Sequence, residues 1–404
     1  MTAQTLNTEV WTSQQLDQTL MEKRRFTLVD VRNREDFRTW PIEVPEGNPV
    51  INVPYFEILE QGGKEDMVES VIAYAKAHWS DQLPQDQPVL VVCAKGQTSA
   101  YVAQALRKLG YEAYHLEGGM ESWGNHYSFR TVVNTPRLTI TQVVRPARGC
   151  LGYVVASNGQ AALVDPFRHH TRYLDWTGKL GLQVHFILDT HAHADHISGG
   201  PALARQTGQG YYFHPYDAIH PLDVLPARVN YEFVQDGQEF RVGEVSIRAI
   251  HVPGHTLGNL TYLVDGRYLL SGDTIFIRSI ARPDLGGRGE TWAPLHYDSL
   301  QKLLALPEQT VVLPGHFSHM DEADRGGLFQ ATLAHLKEHN QGVQMAAGPK
   351  EKFVEYILGS LPTFPQQYVD IKRVNAGLLE ADEEKQSELE LGQNVCALSD
   401  AYKS

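Results

Sequence analysis

Cysteine is scarce in this chain. There are three in 404 residues, Cys93, Cys150 and Cys396, odd in number and far apart. So sparse a set excludes a disulfide framework and makes a reducing compartment, the cytoplasm, the expectation. Positive charge is also short. Lys and Arg total 35 against 48 Asp and Glu, a formal net charge of −13. That balance excludes broad binding to nucleic acid or anionic membrane, which needs clustered positive charge, but it allows a local basic pocket for a small anion. No apolar run reaches the length of a membrane span. The start, "MTAQTLNTEVW", lacks the basic stretch and apolar run of a secretory signal. Internal repeats and long low-complexity segments are missing as well.

What is present is an apolar fraction of 42%, enough for ordinary cores, and a length that suits two domains. The first block alternates strands and helices. "FTLVDV" and "QPVLVVC" read as strands, the second apolar throughout, as in the middle of a parallel sheet. "DMVESVIAYAKAHW" puts Met67, Val71, Ile72, Ala75 and Trp79 on one helical face. "SAYVAQALRKLG" is an amphipathic helix closed by Gly110, and "YEAYHLEGG" a further strand and turn. The character changes near residue 131. "RLTITQVVR", "CLGYVVAS" and "QAALVDP" are consecutive strand-like runs. Helices intervene at "YLDWTGKLG" and "PALARQTG", and strands return up to "TVVLPGH". The expected architecture is α/β throughout: residues 1–130 a parallel-sheet domain, and 131–404 a two-sheet sandwich with a helical extension from about 320. The acidic piece "EADEEKQSELELG" reads as a solvated helix capped by Gly392.

Cys93 falls where a strand ends and the loop "CAKGQT" leads into a helix. Unpaired N–H groups at a helix start favour a thiolate, Lys95 adds a positive charge, and Gly96 lets the loop curl. A small buried apolar cysteine is the plainer reading of that position alone. The surroundings weigh against it. "TLVDVRNREDF", the Cys-ending strand, the loop and "HLEGGMESW" together resemble the rhodanese family over roughly residues 10–128. The resemblance implies that Cys93 carries a persulfide, with Lys95 as the only loop cation, and that Asp30 and Arg32 are structural. Thiosulfate-cleaving members often have a loop Arg, which this chain lacks.

In "DTHAHADHISGG", His191 and His193 alternate at a strand end, so both rings can face one way, and Asp195 and His196 follow as the chain turns. Histidine with carboxylate is a donor set for zinc or iron. His255 in "HVPGHTLGN", Asp273 in "LLSGDTIF" and His316 in "VVLPGH" sit on other strand-to-loop transitions. His169, His170, His214, His220, His296 and His319 lack that setting, and His251 reads as a packing neighbour.

The ordered set "THAHADH", "GH", "GD", "GH" resembles the metallo-β-lactamase superfamily over roughly residues 137–340, which implies an αββα sandwich with bound metal. Two metal sites are compatible with it. A two-zinc site would use all seven residues, with Asp273 bridging. A one-iron site would use His191, His255 and Asp273, a two-histidine-one-carboxylate set with open positions, leaving His193, Asp195, His196 and His316 as supporting or second-metal groups. Context separates the two. "SGDTIFIRSIARPDLGG" resembles the matching segment of the persulfide dioxygenases, with Arg282 and Asp284 in its Arg-Pro-Asp. The chain also resembles bacterial fusions of that enzyme to a rhodanese.

The resemblance implies one Fe(II) per chain, with Zn(II), one or two, as the alternative. It implies oxidation of a low-molecular-weight thiol persulfide by O2 to sulfite and thiol, with Cys93 exchanging sulfane sulfur between persulfide, sulfite and thiosulfate. Glutathione is the expected thiol and a coenzyme A type the alternative, since "HFSH" stands where several glutathione-using members have His-Asp-Tyr. Arg282 is the candidate for an anionic part of the carrier, against an internal salt bridge with Asp284. A homodimer is one expectation for the assembly. The alternatives are a two-zinc thioester hydrolase of hydroxyacylglutathione hydrolase type with an accessory rhodanese domain, and a non-enzymatic persulfide carrier or sensor.

Overall fold

The computed structural model describes residues 9–63 and 66–399. It divides into two compact units, residues up to 128 with 145–148, and 129–144 with 149 onward. Among the described residues no helix is long and apolar enough to cross a membrane.

The first unit is built on a five-stranded sheet. Its order is Val10–Trp11, Ala113–Leu116, Val89–Val92, Thr27–Asp30, Val50–Asn52, with every pairing parallel. The apolar run of the central strand follows from burial on both faces. Val29, Val89 and Val91 enter one core cluster with Val71 and Val102, while Leu28, Leu90 and Val92 enter another with Leu16 and Leu116. Each such side chain removed from water is worth about 1.5–3 kcal/mol. The helix of "DMVESVIAYAKAHW" runs Met67–His78, with the Asp66 side chain accepting from Glu69 N. Its buried stripe starts one residue later than the periodicity suggests. Met67, in the first turn, is 39% exposed, while Val68, Val71, Tyr74 and Ala75 are buried.

The second unit is a sandwich of two sheets, of seven and six strands. Leu151, Tyr153, Val155 and Val164 from one sheet share a core with Phe240, Ile247, Tyr262 and Leu270 from the other. Helices Thr171–Lys179 and Gly200–Thr207 pack on strand Gln183–Leu188. Leu300 and Leu303 of helix Gly289–Leu304 pack with Leu263, Leu269 and Val312 on the other outer face. The layers are therefore helix, sheet, sheet, helix. Further helices follow, among them Lys350–Gly359, Gln367–Asn375 and Glu383–Leu389.

Candidate metal centre

The strand ends of the sandwich bring the candidate ligands together. Strand Gln183–Leu188 runs parallel to Gln160–Val164, pairing Leu188 with Val164, and delivers Thr190 and His191 beside Asp165. Asp165 has φ +49°, an uncommon value for a residue with a side chain. Its carboxylate accepts from Thr190 N at 2.7 Å and from the Thr190 hydroxyl at 3.0 Å. Two motif glycines have a steric cause. A Cβ on Gly272 would lie 2.6 Å from Thr190 Oγ1, and one on Gly315 would lie 2.6 Å from Asp273 Oδ1. Only glycine lets these strands close on the site.

His191, His255 and Asp273 form one buried cluster of donor atoms. His255 Nε2 stands 3.3 Å and His191 Nε2 3.9 Å from Asp273 Oδ2. All three of these atoms are buried and lack a hydrogen-bond partner among the described residues. The opposite ring nitrogens are engaged, His191 Nδ1 with Thr190 Oγ1 at 2.9 Å and His255 Nδ1 with the Arg282 carbonyl at 2.7 Å. A ring whose Nδ1–H is donated presents a lone pair at Nε2, the arrangement of a metal-binding histidine with its outer support. Burial, reinforced by the His193 and His255 rings, pushes His191 well below the usual histidine range. Burial also lowers His255 against the pull of Asp273. Both are then neutral near pH 7, as ligands must be. Three unengaged buried donors, two neutral nitrogens and one carboxylate oxygen, fit a divalent metal ion.

The other expected residues are arranged differently. His193 Nε2 is 3.1 Å from Asp165 Oδ1, and His193 groups with Asp165 and Asp189 rather than with His191. Burial disfavours its charge, but Asp165 together with Asp189 and Asp195 outweighs burial and lifts His193 to about 9. His316 lies between two carboxylates, with Nδ1 2.6 Å from Asp273 Oδ1 and Nε2 2.8 Å from Asp195 Oδ2. Cys150, Asp195, His196 and His316 form a second buried cluster of possible ligands. His193 Nδ1 and His196 Nε2 are also unengaged.

Arg282 is not available to a substrate. Its guanidinium is fully buried and makes five hydrogen bonds, to both Asp284 oxygens and to the carbonyls of Thr363, Val395 and Pro362. Five donors are all that a guanidinium has. The expected substrate-binding role is replaced by an internal one. Arg282 ties the loop that carries the His255-binding carbonyl to the C-terminal segment.

Several supporting residues carried no signal in the sequence. Asp217 accepts from Ala192 N, Thr256 Oγ1 and Gly258 N, joining the His191 loop to the His255 loop. Asn375 Nδ2 donates to the carbonyls of His193 and His196, and its oxygen accepts from Ser198 N. Glu390 accepts from Ile197 N at 2.7 Å and from Arg168 Nε at 2.8 Å, and is 2% exposed. The acidic tail piece is therefore more than the solvated helix its composition suggests.

In the first unit, Cys93 is 6% exposed. Its Sγ accepts from Gly96 N at 3.1 Å and from Ser99 N at 3.4 Å. Gly96 has φ +85° at the start of helix Gln97–Lys108. Lys95 is exposed in the same loop.

Two family descriptions match the chain: "Rhodanese-like domain" over residues 12–126 and "Metallo-beta-lactamase superfamily" over residues 145–316. The hydroxyacylglutathione hydrolase of Xanthomonas axonopodis pv. citri (strain 306) is 36% identical over 191 residues, 47% of this chain and 69% of that protein. The metallo-beta-lactamase from Staphylococcus aureus subsp. aureus COL shares the fold with a TM-score of 0.52 at 24% identity, covering 60% of this chain and 73% of that one. ETHE1 from Myxococcus xanthus has a TM-score of 0.47 at 27% identity, covering 62% of this chain and 100% of that one. The chain belongs to the metallo-beta-lactamase superfamily. Ahead of that domain it carries a rhodanese-like domain.

Proposed function

We propose that the chain oxidises a low-molecular-weight thiol persulfide with O2, using one iron held by His191, His255 and Asp273, and that its first domain, residues 1–130, transfers sulfane sulfur through Cys93. The overall reaction is R–S–SH + O2 + H2O giving R–SH, sulfite and two protons. Glutathione persulfide is the leading substrate. The observation that carries the reading is the buried trio of unengaged donor atoms at His191, His255 and Asp273. Bound there, Fe(II) would supply open coordination positions and redox chemistry toward O2.

The chain's own residues do the rest. Thr190 and the Arg282 carbonyl hold the two imidazoles in the ligand tautomer. Asp165, Asp217 and Asn375 fix the loops that carry them. Cys93 would take the outer sulfur of a donor by forming one S–S bond as the donor's bond to that sulfur breaks, and release it to an acceptor thiol the same way. The test is metal analysis and oxygen uptake. One iron per chain and uptake with glutathione persulfide support the reading, and two zincs without uptake sink it.

A second reading has its own support. The cluster Cys150, Asp195, His196 and His316 offers a second ion a place, and the relative 36% identical to this chain is named a hydroxyacylglutathione hydrolase. A two-zinc site hydrolysing a glutathione thioester would be held by His191, His193, Asp195, His196, His255, Asp273 and His316.

A further inference from the structure

With Arg282 engaged internally, the second unit holds another cation without a partner. Lys372 lies on helix Gln367–Asn375 and is 5% exposed. Its ammonium makes no hydrogen bond or ion pair among the described residues, while its carbonyl accepts from Ala376 N. The same helix is pinned to the metal loop by Asn375, three positions further on and so on the same face. Lys372 and Asn375 line a cavity of about 20 Å3 together with His193, Asp189, Asp217 and His220. That is room for about one water-sized group.

An ammonium buried without a partner carries an uncompensated desolvation cost. The Asp217 carboxylate in the same lining does not relieve it directly, because it is occupied by three neutral donors from the two ligand loops. Burial pushes Lys372 below the usual lysine range, and Asp217 pulls it back only in part. The cavity's lining also includes His193, whose carbonyl is held by Asn375, so the ammonium lies beside the His-x-His loop. The ammonium faces a small cavity whose two carboxylates, Asp189 and Asp217, are both engaged by other donors.

We propose that Lys372 forms an anion subsite beside the metal cluster and takes a small negatively charged sulfur group of the substrate. The identification of the anion as a persulfide rests on the function proposed above. The subsite itself does not.

Two measurements on the full chain test it. In the iron-loaded protein, Lys372→Met should raise KM for glutathione persulfide about tenfold or more, the loss of one charge-assisted contact, with iron content and kcat held within about twofold. In crystals soaked with sodium bromide, wild type should show an anomalous peak in contact with Lys372 Nζ, and the variant should not. An unchanged KM in the variant overturns the proposal and leaves Lys372 as a structural partner of Asp217 through water. If wild type takes up no oxygen with any persulfide, the functional reading falls, and the bromide peak alone decides the subsite, its absence overturning it. If Lys372→Met does not fold, Lys372→Gln is measured in its place.

Discussion

His193 Nε2 lies 3.1 Å from Asp165 Oδ1, so the second imidazole of the His-x-His pair is anchored in a different buried cluster from the first. The one-ion and two-ion readings part at this residue. If His193 supports the site without ligating, His193→Ala keeps one iron per chain and slows turnover by about 10–100-fold, the usual range for a lost outer support. Loss of half the bound metal together with all activity would favour two ions. Metal analysis of the purified variant beside its oxygen uptake separates the outcomes.

Asp273 supplies the only negative charge of the trio. Burial raises its pKa, but His316 and His255 outweigh burial and hold it below the ordinary carboxylate range. Asp273→Ala should lose iron and oxygen uptake together, since two neutral nitrogens alone bind a divalent ion weakly. Far-ultraviolet circular dichroism checks that the variant is folded. Retention of metal and full rate by a folded variant would remove the trio as the metal site.

The candidate ligands were legible because each is a local signal: an apolar strand, then a glycine or a turn, then His or Asp. The steric needs of Gly272 and Gly315 give two of those glycines a physical cause. The supports from the C-terminal helices were not legible. Asn375, Lys372 and Glu390 sit among polar neighbours on short helices, and nothing in periodicity marks one polar residue in such a run as buried. Arg282 shows the converse. The motif around it is conspicuous, but the sequence cannot say whether a guanidinium turns to a substrate or to five internal acceptors.

Arg282 therefore makes a stability prediction. Replacing it by Met leaves Asp284 and three carbonyls without their donor in a part-buried setting. Breaking a fully buried pair costs about 3–5 kcal/mol, and this pair, partly open to water at Asp284, loses less than that. Thermal unfolding should show a large drop in Tm, while the folded fraction keeps its KM for persulfide. An unchanged Tm with a raised KM would restore the substrate role.

His214 makes a pH prediction away from the ligands. Its ring stacks on His251 at 4.2 Å, and its Nδ1 accepts from Tyr216 N, which needs that nitrogen unprotonated. Burial, with the His251 ring, lowers it to about 4 from an ordinary value of 6.5. The folded state then binds this proton less readily than the unfolded one. The contribution to stability is present above pH 6.5 and is lost as pH falls toward 4. The Tm of wild type should fall across that window more than the Tm of His214→Asn, which keeps a capping acceptor but does not titrate. Parallel curves would show that His214 does not carry the effect.

Cys93 tests whether the two chemistries are separable. Its sulfur sits in the first unit among Gly96 N and Ser99 N, while every proposed iron ligand lies after residue 190. Cys93→Ser keeps the loop's size and hydrogen bonding but removes the only sulfur that could carry a persulfide there. Transfer from thiosulfate would begin with the Cys93 thiolate attacking the outer sulfur and expelling sulfite. An acceptor thiol would then take that sulfur and leave with the persulfide. In the variant both steps stop. Oxygen uptake should be near normal when glutathione persulfide is supplied, because that substrate reaches the iron unaided, and should fail when only thiosulfate and thiol are supplied. Oxygen consumption of wild type and variant under both feeds is the measurement. If the variant also loses uptake with free persulfide, sulfur must pass from Cys93 to the metal site on every turnover, and the two domains act as one pathway rather than as independent modules.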